Sequence, residues 1–181
     1  ALEEMEAKGI QHLSYVQIDN PLANVVDPSF LGIHLSEESS KEASSKCVRK
    51  TNPDERVGVF CEVDGNTTVV EYSDLDAEKS KEVNTQGELQ YSAGSIAIHM
   101  LSTKFLQRIA DELPWHIAHK TVACIELPTG NPIEPVEPNA YKFEKFVFDV
   151  LPLASNSLVV ATKREDEFAP IKNASGNDSP Q

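Results

Sequence analysis

Apolar positions along the chain recur with two periods, and the switches between them cut it into alternating strand-like and helix-like segments. Residues 2–8 read as the end of a helix, with Gly9 as its stop. Residues 12–18 predict an opening strand, which breaks off abruptly at Asp19, Asn20 and Pro21. In DPSFLGIHL, Asp27 stands as an N-cap and Pro28 at the first helical position, so a short helix follows. ESSKEASSK reads as a polar loop, and CVRK as the start of another strand. The clearest local signal is a pair of β-rich runs flanking Asp64-Gly65, the dipeptide of a tight hairpin. Residues 76–83 read as a charged, solvated helix, AGSIAIHMLS as an apolar strand, and TKFLQRIADEL as an amphipathic helix with Phe105, Leu106, Ile109 and Leu113 on one side. HKTVACIEL predicts a strand, and a loop carrying Pro128, Pro132, Pro135 and Pro138 follows it. Phe143, Phe146, Val147, Val150 and Leu151 fall at helical spacing, which predicts a helix over YKFEKFVFDVLPLA; SLVVATKR predicts a last buried strand. This alternation points to an α/β or α+β layer structure.

Composition narrows the classes of function. With 181 residues, 40% of them hydrophobic, the chain can bury a core as one domain or a large part of one. Its 16 basic and 29 acidic residues give a net charge of −13, the wrong sign for a general nucleic-acid binder. A nucleotide is still allowed, because a few lysines at a pocket can outweigh a distant acidic surface. No apolar run approaches membrane-spanning length, so no membrane partner is expected. The cysteines, Cys47, Cys61 and Cys124, are odd in number and form no CxxC pair, which argues against a structural zinc or a disulfide framework. Glycosylation-like triplets begin at Asn66, Asn173 and Asn177, but such short patterns arise by chance. A reducing cytoplasm is the expected setting. The chain opens on ALEEMEAKGI with neither an initiator Met nor a cap, and closes on the polar KNASGNDSPQ; it is expected to be a fragment.

Candidate chemistry is sparse when taken residue by residue. GxSxG, HExxH, GxGxxG and Walker patterns are all missing from the sequence. The histidines, His12, His34, His99, His116 and His119, show no ligand spacing beyond one i, i+3 pair. Asp19, at the end of a strand, could hold a divalent cation carrying a nucleotide's phosphates, since Mg²⁺ takes one or two carboxylates plus substrate oxygens. The plain alternative is a turn-forming Asp-Asn-Pro. Glu71 and Tyr72 can simply end a hairpin strand, Lys142 and Lys172 can be solvated, and Phe146 can be core. Phe148 falls off the apolar stripe.

Longer blocks carry more. IDNPLANVVDPSFLGIHL, KTNPDERVGVFCEVDGNTTVVEYSDL, AGSIAIH, PNAYKFEKFVFDVLP and REDEFAPIKNA occur in this order. Together they resemble the UDP-N-acetylglucosamine pyrophosphorylases and the wider UTP-dependent sugar-1-phosphate uridylyltransferases, over nearly the whole chain. That resemblance implies an α/β nucleotide-diphosphosugar transferase (GT-A-like) sandwich with a mixed central sheet, incomplete here. Residues 1–181 would be the sugar- and phosphate-binding portion of a catalytic domain. It also implies a reaction in which UTP and N-acetylglucosamine 1-phosphate give UDP-N-acetylglucosamine and pyrophosphate.

By the same resemblance, Asp19 matches the acid at the UTP phosphates and their Mg²⁺. Gly58 and the pair Glu71-Tyr72 match residues around the sugar, Lys142 and Lys172 match phosphate-binding lysines, and Phe146 and Phe148 match aromatics of the sugar pocket. Two departures bear on these roles. The glycine-rich loop that would cradle UTP is absent from this sequence, so the chain alone is not expected to turn over. Ser95 stands where relatives carry an Asn that contacts the N-acetyl group, and Asn24 stands where many carry Lys. The alternatives are therefore a UDP-glucose, UDP-galactose or broad UDP-sugar pyrophosphorylase, and, from another class, a non-catalytic nucleotide-sugar binding module. The oligomeric state is not expressed in the sequence.

Overall fold

The computed structural model describes residues 1–176 and 178–180, so the triplet at Asn177 begins outside the described residues. The chain forms two compact units, residues 1–110 with 148–181, and residues 111–147. In the larger unit, helix α1 (Leu2–Ala7) precedes strand β1 (His12–Tyr15), helix α2 (Pro28–His34) and strand β2 (Ala43–Arg49). A hairpin of β3 (Val59–Val63) and β4 (Asn66–Val70) follows, then β5 (Ala93–Ser102) and α3 (Thr103–Ile109). The smaller unit holds β6 (His116–Lys120), β7 (Cys124–Ile125), β8 (Pro132–Ile133) and β9 (Ala140–Glu144). The chain ends with β10 (Leu158–Ala161) and α4 (Arg164–Glu167) in the larger unit. No helix among the described residues is long and apolar enough to cross a membrane.

The sheet of the larger unit is mixed, as expected. Its order is β10-β2-β5-β3-β4, with β1 also pairing to β5. Only β10 and β2 run parallel; the other pairs are antiparallel. β5 is central because its apolar length lets it pair along one side with β2 and share the other between β3, at Gly94, and β1, from His99 to Ser102. Ile96, Ile98 and Met100 of β5 pack with Val48 and Phe30 as one buried cluster. A bulge interrupts β5 opposite Lys46 and Cys47, where Ala97 adopts φ +52°. Left-handed backbone is costly for alanine and kinks the strand, here between its core half and its Gly94–Ser95 end. The Asp64-Gly65 hairpin forms as predicted, with φ of +51° and +78°, the two positive values of a type I′ turn. Asp27 caps α2 as predicted, accepting from the N–H groups of Ser29 and Phe30.

Several expectations need correction. ESSKEASSK is not simply a loop, for β2 begins at Ala43, and Ser44, Ser45 and Lys46 are among the most buried residues of the chain. Each has a partner that local polarity cannot reveal. Ser44 Oγ lies 2.9 Å from His34 Nδ1, Ser45 Oγ lies 2.8 Å from His99 Nδ1, and Lys46 is paired with carboxylates. Residues 76–83 form only one 3₁₀ turn, Lys79–Lys81, since a segment with no apolar stripe has little to bury. α3 stops at Ile109, short of Leu113; the acid pair Asp111-Glu112 would face the negative end of its dipole. The strand expected over 119–127 is instead β6 and the two-residue β7.

The helix expected over 141–154 is strand β9 followed by a 3₁₀ helix, Val147–Leu153. Tyr141 and Phe143 pair across to His119 and Ile117 of β6, and the Tyr141 ring stacks on His119 at 4.5 Å. Phe143 is 59% exposed, so the helical stripe counted a residue that is not core. Val150 and Leu151 are buried as the stripe requires.

The buried imidazoles make acid stability predictable. His34 and His99 are fully buried, and desolvation of the charged ring pushes each pKa down to about 4. In the unfolded chain both rings take up protons near the ordinary value of about 6.5. Between those limits the unfolded state binds more protons, so stability is flat above neutral pH and falls as pH drops from about 6.5 to 4. The loss amounts to at most about 3 kcal/mol per histidine. Denaturant midpoints should be equal at pH 7 and 8 and decline steadily below 6. A midpoint that holds level down to pH 4.5 would contradict this account.

Candidate active site

The chain leaves β1 at Tyr15 and turns through Asp19, Asn20 and Pro21. Asn20 is only 4% exposed, which is unusual for a turn amide. Its Nδ2 donates to the Glu167 carbonyl at 2.8 Å, and its Oδ1 accepts from the Ala169 N–H at 3.0 Å. The Ile171 N–H donates to the Asp19 carbonyl at 2.7 Å. These bonds sew the segment 167–171 to the end of β1, and the next residue, Lys172, comes to lie with its Nζ 3.6 Å from Asp19 Oδ2. Two residues that the sequence separates by most of its length, Asp19 and Lys172, thus form one pair.

Asp19 Oδ1 is buried and has no hydrogen-bond partner among the described residues. A carboxylate oxygen so placed is a ready acceptor for a cation or a donor from a ligand. No group of three or more His, Cys, Asp or Glu able to hold a metal occurs among the described residues. A hard cation here would therefore rest on one carboxylate and draw its other ligands from substrate oxygens and water. That is an acceptable site for Mg²⁺, which keeps such ligands readily.

Three of the residues matched to the sugar, Gly58, Glu71 and Ser95, meet near the Gly94 end of β5. Gly58 leads into β3, and its carbonyl accepts from the Ser95 N–H at 2.8 Å. A Cβ at Gly58 would lie 2.7 Å from Val69 Cγ1 and 3.0 Å from Glu71 Oε1. Gly58, Glu71 and Ser95 are therefore immediate neighbours, and glycine is what permits the approach. Tyr72, half-exposed, lines a small cavity of about 190 Å³ with Lys50, Leu75 and Ser80. Phe148 sits half-buried in the 3₁₀ helix. In the smaller unit, Lys142 of β9 pairs with Glu144 at 2.7 Å, and the Phe146 ring lies 4.5 Å from that of His116.

Gly58→Ala should force Val69 and Glu71 aside. Overpacking of this kind costs about 1–3 kcal/mol. We expect a lower thermal midpoint together with a raised KM for the sugar substrate, because Glu71 is displaced along with Val69. A variant whose melting and kinetics match the parent would remove Glu71 and Gly58 from the sugar site.

Sequence reasoning missed the buried groups that hold this geometry. Asn20 was legible as an amide next to an acid, but its partners lie 147 and 149 residues away. Lys46 was hidden in a stretch that reads as loop. It contacts Asp27 Oδ2 and both carboxylate oxygens of Glu167, each at 2.6 Å. The hydrogen bond from Lys46, with those from the Phe30 and Ser29 N–H groups, holds the Asp27 carboxyl below its ordinary range against the opposing effect of burial.

Known proteins share this arrangement of elements. Residues 1–177 match the family described as UTP--glucose-1-phosphate uridylyltransferase. The chain is 40% identical, over 96% of its length, to UDP-N-acetylhexosamine pyrophosphorylase-like protein 1 of Xenopus tropicalis, of which it covers 34%. It is 36% identical, over 99% of its length, to UDP-N-acetylglucosamine diphosphorylase 2 of Arabidopsis thaliana, covering 36% of that protein. Among solved structures, the uridine diphosphate N-acetylglucosamine pyrophosphorylase of Trypanosoma brucei superposes with a TM-score of 0.83 at 30% identity; 99% of this chain and 35% of that one are covered. The chain thus spans about a third of the length of the curated relatives it matches. A mixed sheet crossed by a central bulged strand, an acid at the end of β1 and a lysine pinned against it are carried on a sequence that matches one family from end to end: the chain belongs to the UTP--glucose-1-phosphate uridylyltransferase family.

Proposed function

We propose that this chain is the sugar- and phosphate-binding part of a uridylyltransferase that joins UTP and N-acetylglucosamine 1-phosphate to give UDP-N-acetylglucosamine and pyrophosphate. The observation that carries the reading is the Asp19–Lys172 pair, in which one carboxylate oxygen, Oδ2, lies beside an ammonium and the other, Oδ1, is buried without a partner among the described residues. Family membership and relatives named for UDP-N-acetylhexosamines support the substrate.

In this reaction an oxygen of the sugar phosphate attacks the α-phosphorus of UTP. A new P–O bond forms, the bond to the bridging oxygen breaks, and pyrophosphate leaves with both electrons of that bond. Both reactants are anionic, and little proton transfer is required, so positioning and positive charge do most of the work. Lys172 supplies charge at the phosphates, and Lys142 is assigned the same task. Glu71 accepts hydrogen bonds from sugar hydroxyl groups, as a carboxylate does well. Phe146 and Phe148 are assigned to the sugar pocket. Mg²⁺ bound at Asp19 would offset the charge that builds up on the departing pyrophosphate. All three cysteines are free thiols, which supports a reducing, cytoplasmic setting.

Comparing kcat/KM of the full-length protein for N-acetylglucosamine 1-phosphate and glucose 1-phosphate, with UTP and Mg²⁺, tests the proposal. Preference for the amino sugar is expected. Ser95 is shorter than asparagine, so its contact to the acetyl carbonyl would run through a water. A preference of about tenfold for glucose 1-phosphate, a difference of about 1.4 kcal/mol, would overturn the amino-sugar assignment. Binding of both sugar nucleotides without any turnover would point to a non-catalytic module.

A further inference from the structure

Resting on the reading above, we propose that Lys46 is a positioning residue for that site: it sets the register in which segment 167–172 lies against Asp19. The ammonium of Lys46 sits on β2, 4% exposed at its side chain, between two carboxylates that belong to different stretches of chain. Asp27 closes the loop that begins at Asp19, and its other oxygen caps α2. Glu167 begins the segment that ends at Lys172. One buried cation therefore ties the loop that begins at Asp19 to the segment that ends at Lys172.

The connection runs through named bonds. Lys46 Nζ reaches Glu167 Oε1 and Oε2 at 2.6 Å, and the Thr162 hydroxyl donates to Oε1 at 3.0 Å. The backbone carbonyl of the same Glu167 takes the Asn20 amide, and two residues later the Ala169 N–H returns to Asn20. Phe168, between them, packs on the cluster of Phe30, Val48, Ile96, Ile98 and Met100. α4 itself buries no residue, so apart from the Phe168 ring the segment is placed by these polar bonds. A slip of one residue would pull Glu167 away and leave a buried ammonium short of a partner. That cost is far larger than the loss of a surface ion pair. Lys46 is thus a discriminating lock, where an apolar side chain would accept neighbouring registers equally.

The test uses Lys46→Met in the full-length protein, with amide hydrogen exchange as the first readout. The Ala169 and Ile171 amides should exchange at least about tenfold faster, while the amides of β5 stay within about twofold of the parent. A role in general stability would instead speed exchange in β5 to the same degree, and that result, or no change at all, would overturn the proposal. Should Lys46→Met fail to fold, Glu167→Gln weakens the same link from the other side and should show the same selective loss, by about threefold or more. In kinetics, kcat should fall at least about tenfold and the Mg²⁺ concentration for half-maximal rate should rise, with KM for the sugar phosphate nearly unchanged. A parent protein without turnover that still shows selective exchange would refute the proposed function and leave the lock standing.

Discussion

Asp19→Asn in the full-length protein should lower kcat by about a hundredfold or more while leaving the fold intact, the size of effect seen when a key electrostatic stabiliser is removed. The two halves of this expectation have separate structural causes. The fold depends on the Asp19 backbone carbonyl, which receives the Ile171 N–H and is untouched by the substitution. The chemistry depends on the side chain, whose Oδ1 is buried without a partner among the described residues and whose Oδ2 faces Lys172 at 3.6 Å. An amide keeps the shape but carries no charge, and half of it is a donor where an acceptor is needed. Thermal melting and steady-state kinetics on the same preparation check both halves. Activity near that of the parent at saturating Mg²⁺ would return Asp19 to the role of a turn residue.

Asn20→Ala should do the opposite, acting on structure first and on rate as a consequence. It removes two part-buried hydrogen bonds, one to the Glu167 carbonyl and one from the Ala169 N–H, each worth about 0.5–1.5 kcal/mol. We expect the free energy for local opening of segment 167–171, read from exchange at the Ile171 amide, to fall by about 1–3 kcal/mol. Turnover should drop by at least about tenfold because Lys172 is no longer held at Asp19. If exchange rises and kcat does not change, the Asp19–Lys172 pair is not needed for the reaction. Unaltered exchange would mean that the amide contributes nothing to holding the segment.

What the sequence determined by itself were the features whose physics is complete within a few residues. The type I′ turn needs only Asp64 and Gly65 and their tolerance of positive φ. The Asp27 cap needs two N–H groups that follow it directly. The apolar run of β5 declares a buried strand wherever it ends up, and long blocks in one order declare the family. Asp19 could be singled out because an acid follows an apolar run, although β1 stops at Tyr15 and is only half-buried. The tertiary structure alone decided which polar groups are buried, since burial of a polar group is allowed only by a partner, and partners are not local. Ser44 and Ser45 read as loop until His34 and His99 accept them into the core. Residues 141–144 read as helix until β6 offers them a ladder. Lys46 and Glu167 stand 121 residues apart, and Asn20 and Glu167 stand 147 apart. A charge or amide reads alike in any sequence window; only the fold brings up the group that lets it leave water, and that encounter puts Lys172 beside Asp19.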